Sequence, residues 1–316
     1  MKKKIAVVGT GLVGGAWAIT FARGGRDVAL WDAKAGAAAE ALRLIAPLLD
    51  ELEIQGLLLD QKPATVLSRI RPVASLAEAL ADAAYVQENV TENVEVKQAL
   101  FRELDRIAAP ATILASSSTA IRPSRFTEAL AGRGRCLVAH PINPPYVIPA
   151  VEIVPAPWTA TDAVEATRAL MQEVGQIPLV MRQEAEGFIM NRLQAALLQE
   201  AFRMVAAGIA SVEDIDAGIK KGIGLRWAFI GPFETINLNA PGGVADYAAR
   251  YGEAMYEIAQ TQTQPMRWEG DLLAQVASAL DERTPPEARA NRQVWRDKRL
   301  MALMAHMAEM EKALGS

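Results

Sequence analysis

Short apolar runs recur along the first 180 residues, each ended by glycine, proline or a polar cluster. They fall at Ile5–Val8, 27–31, 70–73, 84–88, 112–115, 135–140, 151–154 and 177–180. Runs of this length, rich in Val and Ile, are the pattern of strands buried on both faces of a parallel sheet. Between them lie helical stretches. One, Trp17 to Arg23, follows the first strand. A mostly helical excursion, 37–71, carries Leu42, Ile45, Leu48, Leu49 and Leu52 at helical spacing, breaks at Gln55-Gly56 and resumes at Lys62-Pro63; another helix covers 93–107. Strands alternating with helices predict an α/β fold with a doubly wound, mostly parallel sheet.

Near Glu186 the pattern changes. From Phe188 onward no strand alternation survives, and helical segments are predicted at 188–207, 212–221, 243–262 and 288–312, separated by Gly, Pro and Asn. The expected division is therefore an α/β domain, 1–186, followed by an all-α domain, 187–316. A crevice between two such domains is a natural place for a small ligand.

The stretch Lys4 to Asp32 is the most specific. Gly9, Gly11 and Gly14 form G-x-G-x-x-G between a strand and a helix, and a second strand ends in Asp32. In this context the first glycine permits a tight turn, the second lets backbone approach a pyrophosphate, and the third lets helix and strand pack closely. The helix N-terminus favours the diphosphate charge. Asp32 can accept the adenosine ribose hydroxyls and would repel a 2′-phosphate, so a Rossmann-type domain binding NAD rather than NADP is predicted.

Composition narrows the partners. At 316 residues and 51% hydrophobic, the chain can bury a large core. No apolar run reaches the roughly 18 residues of a membrane helix, and a net charge of −4 without a long basic block argues against nucleic acid. One cysteine, Cys136, excludes an internal disulfide framework, and two histidines leave little for a transition-metal site. Met1-Lys2-Lys3-Lys4 before an apolar run mimics a secretory leader, but three glycines interrupt that run and no A-x-A-like site follows. A cytoplasmic protein is expected.

Polar groups gather where strands end. Strand 112–115 runs into Ser116-Ser117-Ser118-Thr119, strand 135–140 ends at His140, and Glu152 lies within the apolar V-E-I-V, where an acid is costly without a partner. Oxidising an alcohol with NAD needs a base for the hydroxyl proton, and imidazole, with a reference pKa of about 6.5, suits that task. A carboxylate on the other ring nitrogen would fix its tautomer. The spacing alone equally suits a histidine satisfied by backbone and a glutamate at a sheet edge.

HPINPPYVIPAVEIV (140–154), the hydroxyl turn before it and EGFIMNRL after it resemble the 3-hydroxyacyl-CoA dehydrogenase superfamily. GIGLRWAFIGPFETINLNAPGG (222–243) resembles, more narrowly, its lambda-crystallin / L-gulonate 3-dehydrogenase branch. The resemblance implies His140 as the catalytic base, Glu152 as its partner and Asn191 as a donor to the reacting oxygen. Its hydroxyl residue falls on Thr119, with Ser118 beside it; either is open as the substrate contact. It further places Leu12, Val13 and Asp32 at the turn and ribose, Glu92 and Lys97 near the nicotinamide half, and a homodimer formed through the helical domain.

The expected reaction is NAD-dependent oxidation of an L-3-hydroxy group to the 3-keto group. Asp50, Glu51 and Glu53 make the excursion acidic, which disfavours a polyphosphate such as coenzyme A. A small hydroxy acid of the L-gulonate or L-3-hydroxybutyrate type is therefore the expected substrate, its carboxylate met by Arg122, Arg125, Lys221 or Arg226. An acyl-CoA substrate, L-carnitine, and a non-catalytic crystallin-like role are the alternatives.

Overall fold

The computed structural model describes residues 4–315; the leader-like Met1–Lys3 lies outside them. The chain forms two compact units: one runs to Arg192 and resumes at Val294, and the other is Leu193–Gln293.

The first unit is built in the order β1 (Lys4–Val8), α1 (Leu12–Arg23), β2 (Val28–Trp31), α2 (Ala37–Ile54), α3 (Pro63–Leu67), β3 (Ile70–Pro72), α4 (Leu76–Leu80), β4 (Ala83–Glu88), α5 (Val94–Ile107), β5 (Ile113–Ser116), α6 (Ser124–Thr127), β6 (Cys136–Pro141), β7 (Ala150–Pro155), α7 (Thr161–Glu173) and β8 (Ile177–Val180). The eight strands form one sheet in the order β3-β2-β1-β4-β5-β6-β7-β8. Strand order reverses between β1 and β4, the switch point beside which open α/β sheets bind ligands.

Alternation along each strand divides the core. Ile5 and Val7 enter one apolar cluster with Trp17, Phe21, Leu49 and Met171, whereas Ala6 and Val8 enter another with Phe101, Leu104 and Phe126. Both faces are covered by helices, which is why the strands read as continuous apolar runs.

Every strand pairing is parallel except β6–β7. The 142–149 connection is too short for the crossover of about a dozen residues that a parallel neighbour needs, so β7 folds back antiparallel and sets His140 directly opposite Glu152.

The second unit is helical. Following α8 (Met190–Ala206), whose first turn belongs to the first unit, come α9 (Val212–Gly218), a π-turn at Ile219–Ile223, α10 (Gly224–Trp227), α11 (Pro232–Leu238), α12 (Gly243–Gln260), α13 (Gly270–Arg283) and the start of α14 (Arg289–Leu314). The later part of α14 joins the first unit: Met301 is buried in the Trp17 cluster and Lys298 pairs with Glu51 of α2 at 2.9 Å. Among the described residues no helix is long and apolar enough to cross a membrane.

Candidate active site

The glycine turn owes its shape to its neighbours. Gly9 has φ +86°, and a Cβ there would lie 2.8 Å from the carbonyl carbon of Asn89. A Cβ on Gly14 would lie 1.9 Å from the Gly9 oxygen. Gly14→Ala is therefore expected to push α1 off β1 and abolish NAD binding; a variant that still quenches its tryptophan fluorescence with NADH at wild-type affinity would contradict this. Gly11 differs, because its Cβ would meet nothing within 4 Å. It also caps α1 without a side-chain hydrogen bond, leaving the helix's first N–H groups for an anion. Leu12 beside it is 88% exposed and Val13 is half-buried.

Asp32 closes the turn. One carboxylate oxygen accepts the Thr10 N–H at 2.7 Å and its hydroxyl at 3.0 Å; the other accepts the Lys34 N–H at 2.9 Å. A carboxylate has about four acceptor sites, so capacity remains for ribose hydroxyls. Turn, uncapped helix and acid together fit a dinucleotide.

His140 and Glu152 meet as an opposed pair on the antiparallel ladder. Nδ1 lies 2.6 Å from Glu152 Oε2, with His140 6% and Glu152 0% exposed. The other carboxylate oxygen accepts the N–H groups of Ile189 and Met190 at 2.6 and 2.9 Å. Burial alone would push the Glu152 carboxyl up. The hydrogen bonds from His140, Met190 and Ile189 outweigh it and hold the group below its ordinary 4.5.

A depressed carboxyl contributes stability that is complete above the unfolded value and lost as pH falls through the folded one. Wild type should thus lose stability to acid more steeply than Glu152→Gln, as followed by urea midpoints across the acid range. Equal slopes would contradict this origin.

The hydroxyl turn hangs on two carboxylates. Glu92 Oε1 accepts from the Ser118 hydroxyl (2.7 Å) and from the N–H groups of Thr119, Ala120 and Ile121 (2.9, 2.9 and 3.2 Å). Burial raises the Glu92 carboxyl, but the Ser118 and Ala120 hydrogen bonds and the nearby Lys97 charge bring it down overall. Ser118 is buried; Thr119 is exposed, and its carbonyl accepts Asn191 Nδ2 at 2.8 Å. Thr119 and Asn191 are therefore neighbours.

Lys97 is 1% exposed. Its ammonium donates to both oxygens of Glu88 at 2.9 and 3.0 Å, lies 3.3 Å from the Ser116 hydroxyl, and stands 3.7 Å from Glu92. Glu88, itself 0% exposed, also accepts from Ser116 Oγ (2.5 Å) and Val90 N (2.6 Å).

Sequence reasoning misses Glu88, and with it a buried polar chain. Gln87 Nε2 donates to Ser117 Oγ (2.7 Å) and to the Ala139 carbonyl (3.1 Å), the Trp17 indole donates to Ser117 (3.0 Å), and Ser117 donates to Asn89 (2.7 Å). The available signal is two polar residues, Gln87-Glu88, closing an otherwise apolar strand. Of the cations suggested for a substrate carboxylate, Arg122 is ion-paired with Glu186 at 2.9 Å. Lys221 and Arg226 lie in the other unit.

The family model described as 3-hydroxyacyl-CoA dehydrogenase, NAD binding domain, matches residues 4–185, and that for the C-terminal domain matches 187–270. The chain belongs to the 3-hydroxyacyl-CoA dehydrogenase family. It is 43% identical to a lambda-crystallin homolog of Bos taurus over 302 residues, 95% of this chain and 94% of that one. It is 40% identical to an L-carnitine dehydrogenase of Streptomyces griseus, over 80% of this chain and 75% of that one. Among solved structures, an NAD-dependent 5-formyl-3-hydroxy-2-methylpyridine 4-carboxylic acid 5-dehydrogenase superposes with a TM-score of 0.82 at 26% identity, covering 96% and 97% of the two chains. As a member of this family the chain is an NAD-dependent oxidoreductase acting on a CH–OH group, and NAD is its cofactor.

Proposed function

We propose that this family member oxidises the L-3-hydroxy group of a small free hydroxy acid, of the L-gulonate or L-3-hydroxybutyrate type, to the 3-keto acid, with His140 as the general base. The observation that carries this reading is the 2.6 Å His140–Glu152 contact. With Nδ1–H given to the carboxylate, the Nε2 lone pair is free to take the substrate hydroxyl proton, and the buried carboxylate stabilises the imidazolium that forms. Bound NAD supplies the acceptor for the hydride leaving the carbinol carbon. Gly9, Gly11, Leu12, Val13, Gly14 and Asp32 would hold its adenosine diphosphate half, and Glu92 would serve the nicotinamide half. Lys97, whose donors are spent on Glu88 and Ser116, serves that side through Glu92.

Thr119 and Asn191 hold the reacting oxygen. Ser118 is committed to Glu92 and to the Ile121 N–H, which supports the exposed Thr119 as the hydroxyl that touches substrate. Thr119→Val should lower kcat/KM about tenfold, the value of a hydrogen bond worth roughly 1.4 kcal/mol, and Thr119→Ser should restore it. An unaffected Thr119→Val would move the role elsewhere.

The free-acid reading rests on two supports. The helical part of the excursion, 37–67, carries no spare cation for a polyphosphate, Arg43 being hydrogen-bonded to Glu40 and Lys62 to Glu53, while Lys298 of α14 pairs with Glu51; the exposed Arg71 stands at the excursion's far end. Those same pairs neutralise two of the three carboxylates, so repulsion is weaker than composition suggests and the missing cation is the better argument. The second support is that two similar proteins are named for small acids, L-carnitine and a pyridine carboxylic acid. The test is NADH formation with L-gulonate, L-3-hydroxybutyrate, L-carnitine and L-3-hydroxybutyryl-CoA. A clear preference for the thioester would end the free-acid reading, and NAD binding without turnover of any substrate would favour a non-catalytic role.

The apolar surface of the helical unit supports a homodimer. Only Val205, Thr235 and Ala240 of residues 193–293 are buried, too few for a self-sufficient core, whereas Leu193, Phe233, Leu238 and Tyr256 are 59%, 82%, 66% and 60% exposed. Light scattering should give twice the chain mass.

A further inference from the structure

Phe188 stands in a conformation that bulky residues avoid. Its φ is +52°, directly after Gly187 at +72°, and left-handed backbone at a non-glycine residue persists only where its surroundings compel it. The surroundings here are specific. The Phe188 side chain is 0% exposed and belongs to the apolar cluster of Val138, Leu114, Phe126 and Val154. Val138 and Val154 are each two residues from one member of the His140–Glu152 pair, on the same face of their strands. The ring also lies against the imidazole, with centroids 5.8 Å apart.

The consequence appears in the next two residues. Two successive left-handed residues turn the chain so that the N–H groups of Ile189 and Met190 both point at Glu152 Oε1. Consecutive N–H groups aimed at one point form an anion-holding nest, which here opens α8. Glu152 is thereby held at both oxygens, one by the nest and one by the imidazole.

We infer that Phe188 is a positioning residue for the base: its buried ring locks the left-handed turn that clamps Glu152 and so fixes the His140 tautomer. The inference rests on the proposed role of His140 and deepens it. It also explains a glycine followed by a large aromatic where the backbone alone would be better served by two small residues.

Two measurements test it. The first needs no substrate. An imidazole N–H donated to a buried carboxylate gives a slowly exchanging, far-downfield proton resonance, and the chain has only one other histidine, the exposed His306. Wild type should show this signal. Phe188→Ala should lose it and Phe188→Leu, which refills the cluster, should keep it. The second is a double-mutant cycle on kcat with the best hydroxy acid. Phe188→Ala should lower kcat about tenfold or more with NADH affinity unchanged, yet add nothing in a Glu152→Gln background, because coupled residues are not additive. If Phe188→Ala does not fold, Gly187→Ala strains the same turn while keeping the ring and should give the same losses. A retained resonance, or losses that multiply across the cycle, would reduce Phe188 to core filling. The base assignment is judged separately, since only a fully active His140→Ala would overturn it.

Discussion

His140→Ala is expected to lower kcat by about 10²–10⁴-fold, the range for loss of a general base, while NADH affinity stays near the wild-type value. The imidazole is 6% exposed and joined to a carboxylate that is itself fully buried, so bulk water cannot readily take its place. Glu152→Gln should be comparably severe. With its amide oxygen accepting the Ile189 and Met190 N–H groups, its NH2 faces His140 Nδ1 and donates to it, which leaves the proton on Nε2, the wrong tautomer for a base, and the charge that stabilises the imidazolium is lost. Single-turnover kinetics with the preferred hydroxy acid would separate the chemical step from NADH release. Near-normal turnover in His140→Ala would refute the assignment outright.

The second large effect is on stability. Lys97→Met should destabilise the protein by about 3–5 kcal/mol, the cost of leaving a buried charge without its partner. The charge left behind is Glu88, 0% exposed, on the strand beside β1 and β5. Its remaining donors, Ser116 Oγ and Val90 N, are neutral. Removing both charges is a different experiment, because neither ion then stays desolvated: Lys97→Met with Glu88→Gln should recover much of the loss. Urea unfolding of the single and double variants measures this directly. A double variant no better than Lys97→Met would mean that geometry, rather than charge pairing, is what the site requires.

Much of the first unit is legible in the sequence because its signals are local. The strand cores coincide with the apolar runs, and the G-x-G-x-x-G turn with its distant aspartate signals a dinucleotide fold, through backbone requirements that only glycine meets at Gly9 and Gly14. Helices are read where leucines mark a stripe, as in α2. They are missed where the buried face is made of small or mixed residues: α7 buries Ala163, Val164, Thr167 and Met171. The five-residue α4 and the exposed α13 leave still weaker patterns. The aromatics Trp227, Phe229 and Trp268, apolar enough for a core, are 43%, 67% and 38% exposed in the single chain. A pattern reports that a face is apolar without saying which surface covers it.

The chemistry of His140 and Glu152 was inherent in the chain, since residue type and the apolar setting of V-E-I-V demanded a partner for the acid. Their meeting was not. Twelve residues of separation become adjacency only because β7 runs antiparallel to β6, and the second hold on Glu152 comes from a left-handed turn 36 residues further on. Local backbone propensity and the spacing of apolar positions act along the chain and can be read there. Pairing direction, the Glu88–Lys97 contact and the aim of two N–H groups arise from which surfaces pack together, and packing joins residues that the sequence keeps apart.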